Sequence, residues 1–255
     1  PNDPMYPGQW ALHNAGGFDV GSVTAVAGMD IGAPCGWQFL VDHPAATLPR
    51  YALVIDTSIA RVPDLDGVFG PVTGVAGGGP HGVDLISDDV EPLVAADNPD
   101  AGSGGDFLAR SHGTMTAGII AARTNNTEGI AGAVGPDGTP LLRLVAARAL
   151  RATSDVEVAG DSSDIICALH YGAVLARSLR ENGQGRLVAV NLSLVDVAAG
   201  ANPSLRARYN DAFAALAAEQ VLVVAATGNS DNAETGECNN GPQFPSTSSA
   251  PNVLA

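Results

Sequence analysis

Positive charge is scarce in this chain: 12 Lys and Arg stand against 27 Asp and Glu over 255 residues, a formal net charge of −15. A nucleic-acid surface neutralises phosphates with basic side chains, so that class of partner is excluded. An acidic surface suits solubility, calcium or cationic substrates instead. No apolar run approaches the roughly 20 residues needed to cross a bilayer, so no membrane contact is expected. Cysteine is rare too. Cys35, Cys167 and Cys238 form no CxxC pair and no zinc spacing, and they allow at most one internal disulfide, whose pairing stays open. No signal peptide is recognisable; the chain opens on "PNDPMYPGQWAL" without an initiator methionine, as a mature or trimmed domain would. An extracytoplasmic, secreted location is the expectation.

What is abundant is small and apolar. Hydrophobic residues make up 45% of the chain, with 31 glycines and 17 prolines, which suits one large globular domain with many tight turns. Short apolar runs alternate with helical patterns. "YALVID" (51–56), "LLRLVAARAL" (141–150), "RLVAVNLSL" (186–194) and "VLVVAATGN" (221–229) read as strands. "HGTMTAGIIAAR" (112–123), "SSDIICALHYGAVLARSLREN" (162–182) and "PSLRARYNDAFAALAAEQ" (203–220) read as helices. This alternation predicts an α/β fold with a mostly parallel sheet covered by helices on both faces. Residues 57–110 are too long for a structureless connection, and "HGVDLISDD" (81–89) is the strand expected within them.

Ligand sites in such sheets lie beyond the carboxyl ends of the strands. Asp56, Ser193 and Asn229 all fall there. His112 is one of only five histidines and opens the pattern "HGTMTAGIIAA". An imidazole titrates near neutrality and can serve as a base and then as an acid. At a helix N-terminus the macrodipole disfavours imidazolium, and a buried carboxylate such as Asp56 would balance the cation formed during reaction. Asn229 follows Gly228 and could aim an amide at a developing oxyanion. Singly, each has a plainer reading: a polar cap for His112, a turn cap for Asp56, an ordinary turn for Gly-Asn.

Together these stretches resemble the subtilisin-like serine proteases, the subtilases. "VIDTSIARVPDL" matches the family's acid motif, "HGTMTAGIIAA" its histidine motif and "VVAATGN" its oxyanion motif, in the family's order. "IGAPCGW" (31–37) resembles the leading helix, and "VNLSL" the substrate-binding strand. The resemblance implies a three-layer α/β/α fold in one domain. Residues 1–50 would form its N-terminal arm and leading helix, and residues 51–255 the N-terminal part of the catalytic domain. It implies an endopeptidase that hydrolyses peptide or protein substrates through an acyl-enzyme. Asp56 would orient His112, Asn229 would steady the oxyanion, Ser193, Leu194 and Val195 would bind substrate as an edge strand, and Ala226, Thr227 and Gly228 would line the pocket. A structural calcium site would use Asp64, Asn126 and the carbonyls of Thr124, Glu128 and Ile130, with Asp3 or Gln9 completing it. No organic cofactor is expected.

Departures from the family pattern matter. Its Gly-Thr-Ser nucleophile motif is absent, so the serine is expected from a C-terminal portion or a second chain outside these 255 residues. Val195 stands where the family usually has Gly, and Met115-Thr116 replaces the commoner His-Val. The rival function is a catalytically inactive module of the same type that binds peptides or a partner. A nucleotide-binding reading of Gly129-x-x-Gly132-x-x-Gly135 fails, because the spacing is wrong and no strand leads into it. The acidic stretch 84–100 reads as a solvated loop, and Trp10 and Trp37 read as packing anchors of the arm.

Overall fold

The computed structural model describes residues 1–20, 23–43, 48–95, 107–135, 142–152, 158–228 and 243–255. The first two strands, β1 (Asp19–Val20) and β2 (Val23–Thr24), pair antiparallel and are followed by α1 (Ala33–Asp42). β3 (Arg50–Asp56), β4 (Ile59–Arg61), β5 (Gly82–Asp84) and β6 (Leu93–Ala95) lead to α2 (Phe107–Ala121). β7 (Leu142–Arg148), β8 (Arg151–Ala152) and β9 (Val158–Ala159) lead to α3 (Ser162–Glu181). β10 (Arg186–Leu192), α4 (Val197–Ala201), α5 (Pro203–Ala218), β11 (Leu222–Ala225) and β12 (Val253–Leu254) complete the order.

Six strands form one parallel sheet in the order β12-β11-β10-β3-β7-β5. β3 is central and buried from Tyr51 to Asp56, as expected of an apolar run covered on both faces. Alternation sends its side chains to two cores. Tyr51, Leu53 and Ile55 meet α3 and α5 in the larger cluster, while Ala52 and Val54 meet α2 through Ala117 and Ala121. After β3 the chain builds β5 and β7 on one side of it, then returns to build β10 on the other. That reversal makes the carboxyl ends of β3 and β10 the switch point of the sheet, where a crevice opens.

A third, smaller cluster seats the N-terminal arm: Leu12, Ala33, Trp37 and Ala131, with Trp37 Nε1 donating to the Ala133 carbonyl at 3.0 Å. Trp37 is the anchor the sequence suggests; Trp10 is not, since 45% of it is exposed. The strand expected over 81–89 shrinks to Gly82–Asp84. Asp84 Oδ1 accepts from the N–H groups of Ile86 and Ser87 at 2.9 Å each, and this local turn outcompetes extended pairing. Among the described residues no helix is long and apolar enough to cross a membrane. Cys35 and Cys167 are exposed and not bonded to each other; Cys238 lies outside the described residues.

Candidate active site

Asp56 is the last residue of β3 and has no exposed surface. A buried carboxylate must be matched by donors. Three groups do so. Oδ1 accepts from the Thr57 N–H at 2.7 Å and lies 2.7 Å from His112 Nδ1, while Oδ2 accepts from Thr116 Oγ1 at 3.2 Å. A carboxylate only accepts, so Nδ1 carries a proton and Nε2 of the neutral ring keeps its lone pair. That nitrogen belongs to a ring one-third exposed, on the wall of a cavity. The arrangement is a base held in one tautomer and aimed at an open space.

Two features of α2 deliver the ring. His112 and Thr116 are four residues apart, hence on one face of the helix, and both reach Asp56. Between them Gly113 lets the helix press on β3: a Cβ there would stand 2.8 Å from the Thr57 carbonyl oxygen. Its N–H donates to Thr57 Oγ1 at 3.0 Å, and Thr114 Oγ1 accepts from the Ala60 N–H at 2.9 Å. Thr116 escapes the sequence reading because its role appears only when i, i+4 spacing is combined with the position of β3.

The helix starts at Phe107, so His112 is not at its N-terminus. The macrodipole acts within the first turn, and His112 lies beyond it. The ring's protonation is set by Asp56 instead. The hydrogen bond to that carboxylate raises the His112 pKa above the ordinary 6.5, burial opposes this, and the carboxylate's charge adds to the rise. A group whose folded pKa is raised stabilises the fold fully below its unfolded value and loses that contribution as pH climbs through the folded value. The gap in unfolding free energy between wild type and His112→Ala is therefore expected to be widest below pH 6.5. Urea titrations across pH 5–9 should show it narrowing above neutrality; a gap that widens with pH would contradict the pairing.

The cavity of ≈ 430 Å³ is walled by His112, by Gly160, Asp161 and Ser162 at the start of α3, and by residues 193–198 beyond β10. Ser193, Leu194 and Val195 thus lie beside the imidazole, but not as an edge strand. β10 is internal, and its pairing with β3 and β11 ends at Leu192. The opposite wall, which includes Val158 and Ala159 of β9, carries no signal in the sequence beyond a short extended run before a helix. Asp196 supports the near wall. It is buried, accepts from Ala199 N and Tyr209 Oη at 2.7 Å each, and caps α4. Burial first, then the Asp196 hydrogen bond, drives the Tyr209 phenol pKa far up, so it remains a donor. Ala226, Thr227 and Gly228 continue β11 past its last pair, with the Ala226 N–H donating to the Leu192 carbonyl at 2.9 Å; they are not on the wall of this cavity. Asn229 lies outside the described residues.

The loop named for calcium is held by two carboxylates. Asp64 accepts from Asn126 Nδ2 at 2.9 Å and from the Ile130 N–H at 3.0 Å. Asp3, buried, accepts from the N–H groups of Asn125 and Asn126. Gln9 is engaged elsewhere, on both backbone groups of Ala131. Asn125 and Thr127 both have φ of +65°, and Gly129 has +31°. Left-handed backbone at a β-branched Thr costs energy and persists only when its surroundings enforce it. His81, which has no partner pattern in the sequence, meets the Glu91 carboxylate at 3.2 Å.

The sequence profile of the subtilase family matches residues 53–255. A 121-residue stretch is 35% identical to a thermophilic serine proteinase of Bacillus sp. (strain AK1), covering 47% of this chain and 22% of that proteinase's length. Among solved structures, the epidermin leader peptide processing serine protease of Staphylococcus aureus is similar at a TM-score of 0.41 and 16% identity, over 76% of this chain and 40% of that one. The profile covers well over half of the chain, including Asp56 at the end of β3 and the helix that carries His112: this chain belongs to the subtilase family.

Proposed function

We propose that this chain carries the acid–base half of a subtilisin-type serine endopeptidase, which hydrolyses peptide bonds in peptide or protein substrates through an acyl-enzyme. The observation that carries the reading is the 2.7 Å contact between His112 Nδ1 and the buried Asp56 carboxylate at the mouth of a cavity. In the reaction, His112 Nε2 takes the proton of a serine hydroxyl as the oxygen attacks the scissile carbonyl, and returns it to the leaving amine. Asp56 fixes the tautomer and balances the imidazolium. Asn229 donates to the oxyanion from its side-chain amide. Ser193, Leu194 and Val195 offer their backbone to an extended substrate, and Ala226, Thr227 and Gly228 line the pocket for the residue before the scissile bond.

The serine comes from a region outside these 255 residues. The sheet supports that assignment. On the face opposite α3 and α5, α2 covers β3 and β7, but Leu222, Val224 and Leu254 of β11 and β12 are 45%, 42% and 49% exposed. Met115 and Ile119 of α2 are also exposed, at 42% and 64%. Apolar surface of this kind is covered when a further element packs against it. A fluorophosphonate probe applied to the form of the protein that carries this element is expected to label one serine covalently, and His112→Ala should abolish the labelling. Folded protein that stays unlabelled would favour the inactive, peptide-binding alternative.

Calcium belongs to the same proposal as a structural ion. Asp64, Asn126 and the carbonyls of Thr124, Glu128 and Ile130 would hold it, with Asp3 beside them; these are hard oxygen donors, as calcium requires. Among the described residues no three His, Cys, Asp or Glu groups converge, so binding would rest largely on carbonyls. The buried Thr124 hydroxyl without a hydrogen-bond partner and the strained backbone at Asn125 and Thr127 fit a loop shaped around an ion. A chelator is expected to lower the thermal midpoint, and calcium to restore it. An unchanged transition would remove the ion from the account. Location outside the cytoplasm fits this chemistry and remains part of the proposal.

A further inference from the structure

Arg148 ends β7 and is the register partner of both Asp56 on β3 and Asp84 on β5, so three charged residues stand in one row across the sheet. Val145 and Ala147 face the α3 side and Leu144 and Ala146 the α2 side, so alternation puts Arg148 on the α2 side, with the Asp56 carboxyl. Neighbouring strands lie about 5 Å apart, well within the reach of a guanidinium. Yet Arg148 turns away from Asp56. Its Nη1 donates to Asp84 Oδ2 at 2.8 Å and to Ser87 Oγ at 3.1 Å. Its Nε is buried and has no hydrogen-bond partner, so one donor of the guanidinium stays unused. An Arg–carboxylate pair is stronger than a contact to neutral imidazole. Left unrestrained, the guanidinium would take Asp56 from the ring.

We propose that Asp84 is a positioning residue: it holds Arg148 off Asp56 and so keeps that carboxylate for His112. The inference rests on the Asp56–His112 pair of the proposed function but not on peptide hydrolysis. Asp84→Asn is the informative substitution. Its amide oxygen can keep the Ile86 and Ser87 N–H groups that Asp84 Oδ1 now accepts, while the atom facing Arg148 becomes a donor and repels it. The charged groups on the cavity wall, Asp161 and Asp196, and Arg151 on β8, which packs against α2, are untouched.

The test is an NMR pH titration of the His112 ring in chain labelled with 15N-histidine, with circular dichroism confirming the fold. Asp84→Asn should bring the titration midpoint down to or below the ordinary imidazole value, and Asp84→Asn/Arg148→Met should bring it back to the wild-type position. An unchanged midpoint in folded Asp84→Asn, or a fall that the double variant does not reverse, would overturn the proposal. Should Asp84→Asn not fold, Arg148→Met decides. Its midpoint should lie at or above that of wild type, whereas a drop would show that Arg148 supports the pair. No arm reads proteolysis, so failure here is separable from failure of the endopeptidase reading.

Discussion

His112→Ala is expected to lower kcat by about a millionfold in the serine-bearing form of the protein, the scale seen when the base of a Ser-His-Asp unit is removed. The size follows from the single role left to the ring. Nδ1 is committed to Asp56, so Nε2 alone can accept the serine proton, and no other described imidazole borders the cavity. His13, His43, His81 and His170 are elsewhere. Asp56→Asn should cost less than His112→Ala. The amide oxygen can stay where Thr57 N–H and His112 Nδ1–H both donate, with the new NH2 turned to Thr116 Oγ1, so the tautomer survives. What is lost is the negative charge that stabilises imidazolium. The kcat/KM profile of Asp56→Asn should therefore report a base of lower pKa than wild type. Equal losses for the two variants would argue that the carboxylate does more than balance charge.

Phe213→Ala is expected to cost about 3–5 kcal/mol of unfolding free energy, the range for deleting a fully buried aromatic ring. Phe213 sits on α5 with no exposed surface, 5.9 Å from the Tyr209 ring and 6.5 Å from Phe244, ring centre to ring centre. Its carbonyl accepts from Asn252 Nδ2 at 3.1 Å, tying α5 to the approach of β12. A cavity there loosens Tyr209, which supports Asp196 and with it one wall of the site. Phe39 on α1 is the control: it is 60% exposed, and Phe39→Ala should shift stability by no more than about 0.5 kcal/mol. Denaturant midpoints of the two variants, compared at equal m-value, give the contrast. Similar losses would mean that the α5 core is not where the stability lies.

Much of this fold could be read along the chain because burial writes itself into local pattern. "YALVID" is apolar throughout since both faces of β3 are covered, and it ends in a charge because the strand ends at the crevice. The span of α3 was legible from its spacing and its Asn-Gly stop, and is observed as Ser162–Glu181. The Asp56 and His112 motifs were legible because the family keeps their neighbours.

What escaped depends on register or on a competing local bond. The row Asp84–Arg148–Asp56 exists only once β5, β7 and β3 are aligned, and no local pattern states an alignment. Thr116 counts as a site residue only because its turn of α2 lands on β3. The helical pattern in the sequence opens at His112, five residues after the observed start of α2 at Phe107, because the His motif itself resembles a helix opening. The strand expected over 81–89 is cut short by the Asp84 turn, and Ser193–Val195 lie past the last paired residue of β10.

One proton decides the chemistry of this site: the one on His112 Nδ1, shared with a carboxylate that water does not reach. In protein labelled with 15N-histidine, that proton should give a far-downfield signal, with Nδ1 protonated and Nε2 bare above the midpoint of the ring's titration. That midpoint should lie above 6.5 and fall in Asp56→Asn. A ring protonated on Nε2, or one titrating at or below 6.5 and indifferent to residue 56, would contradict it.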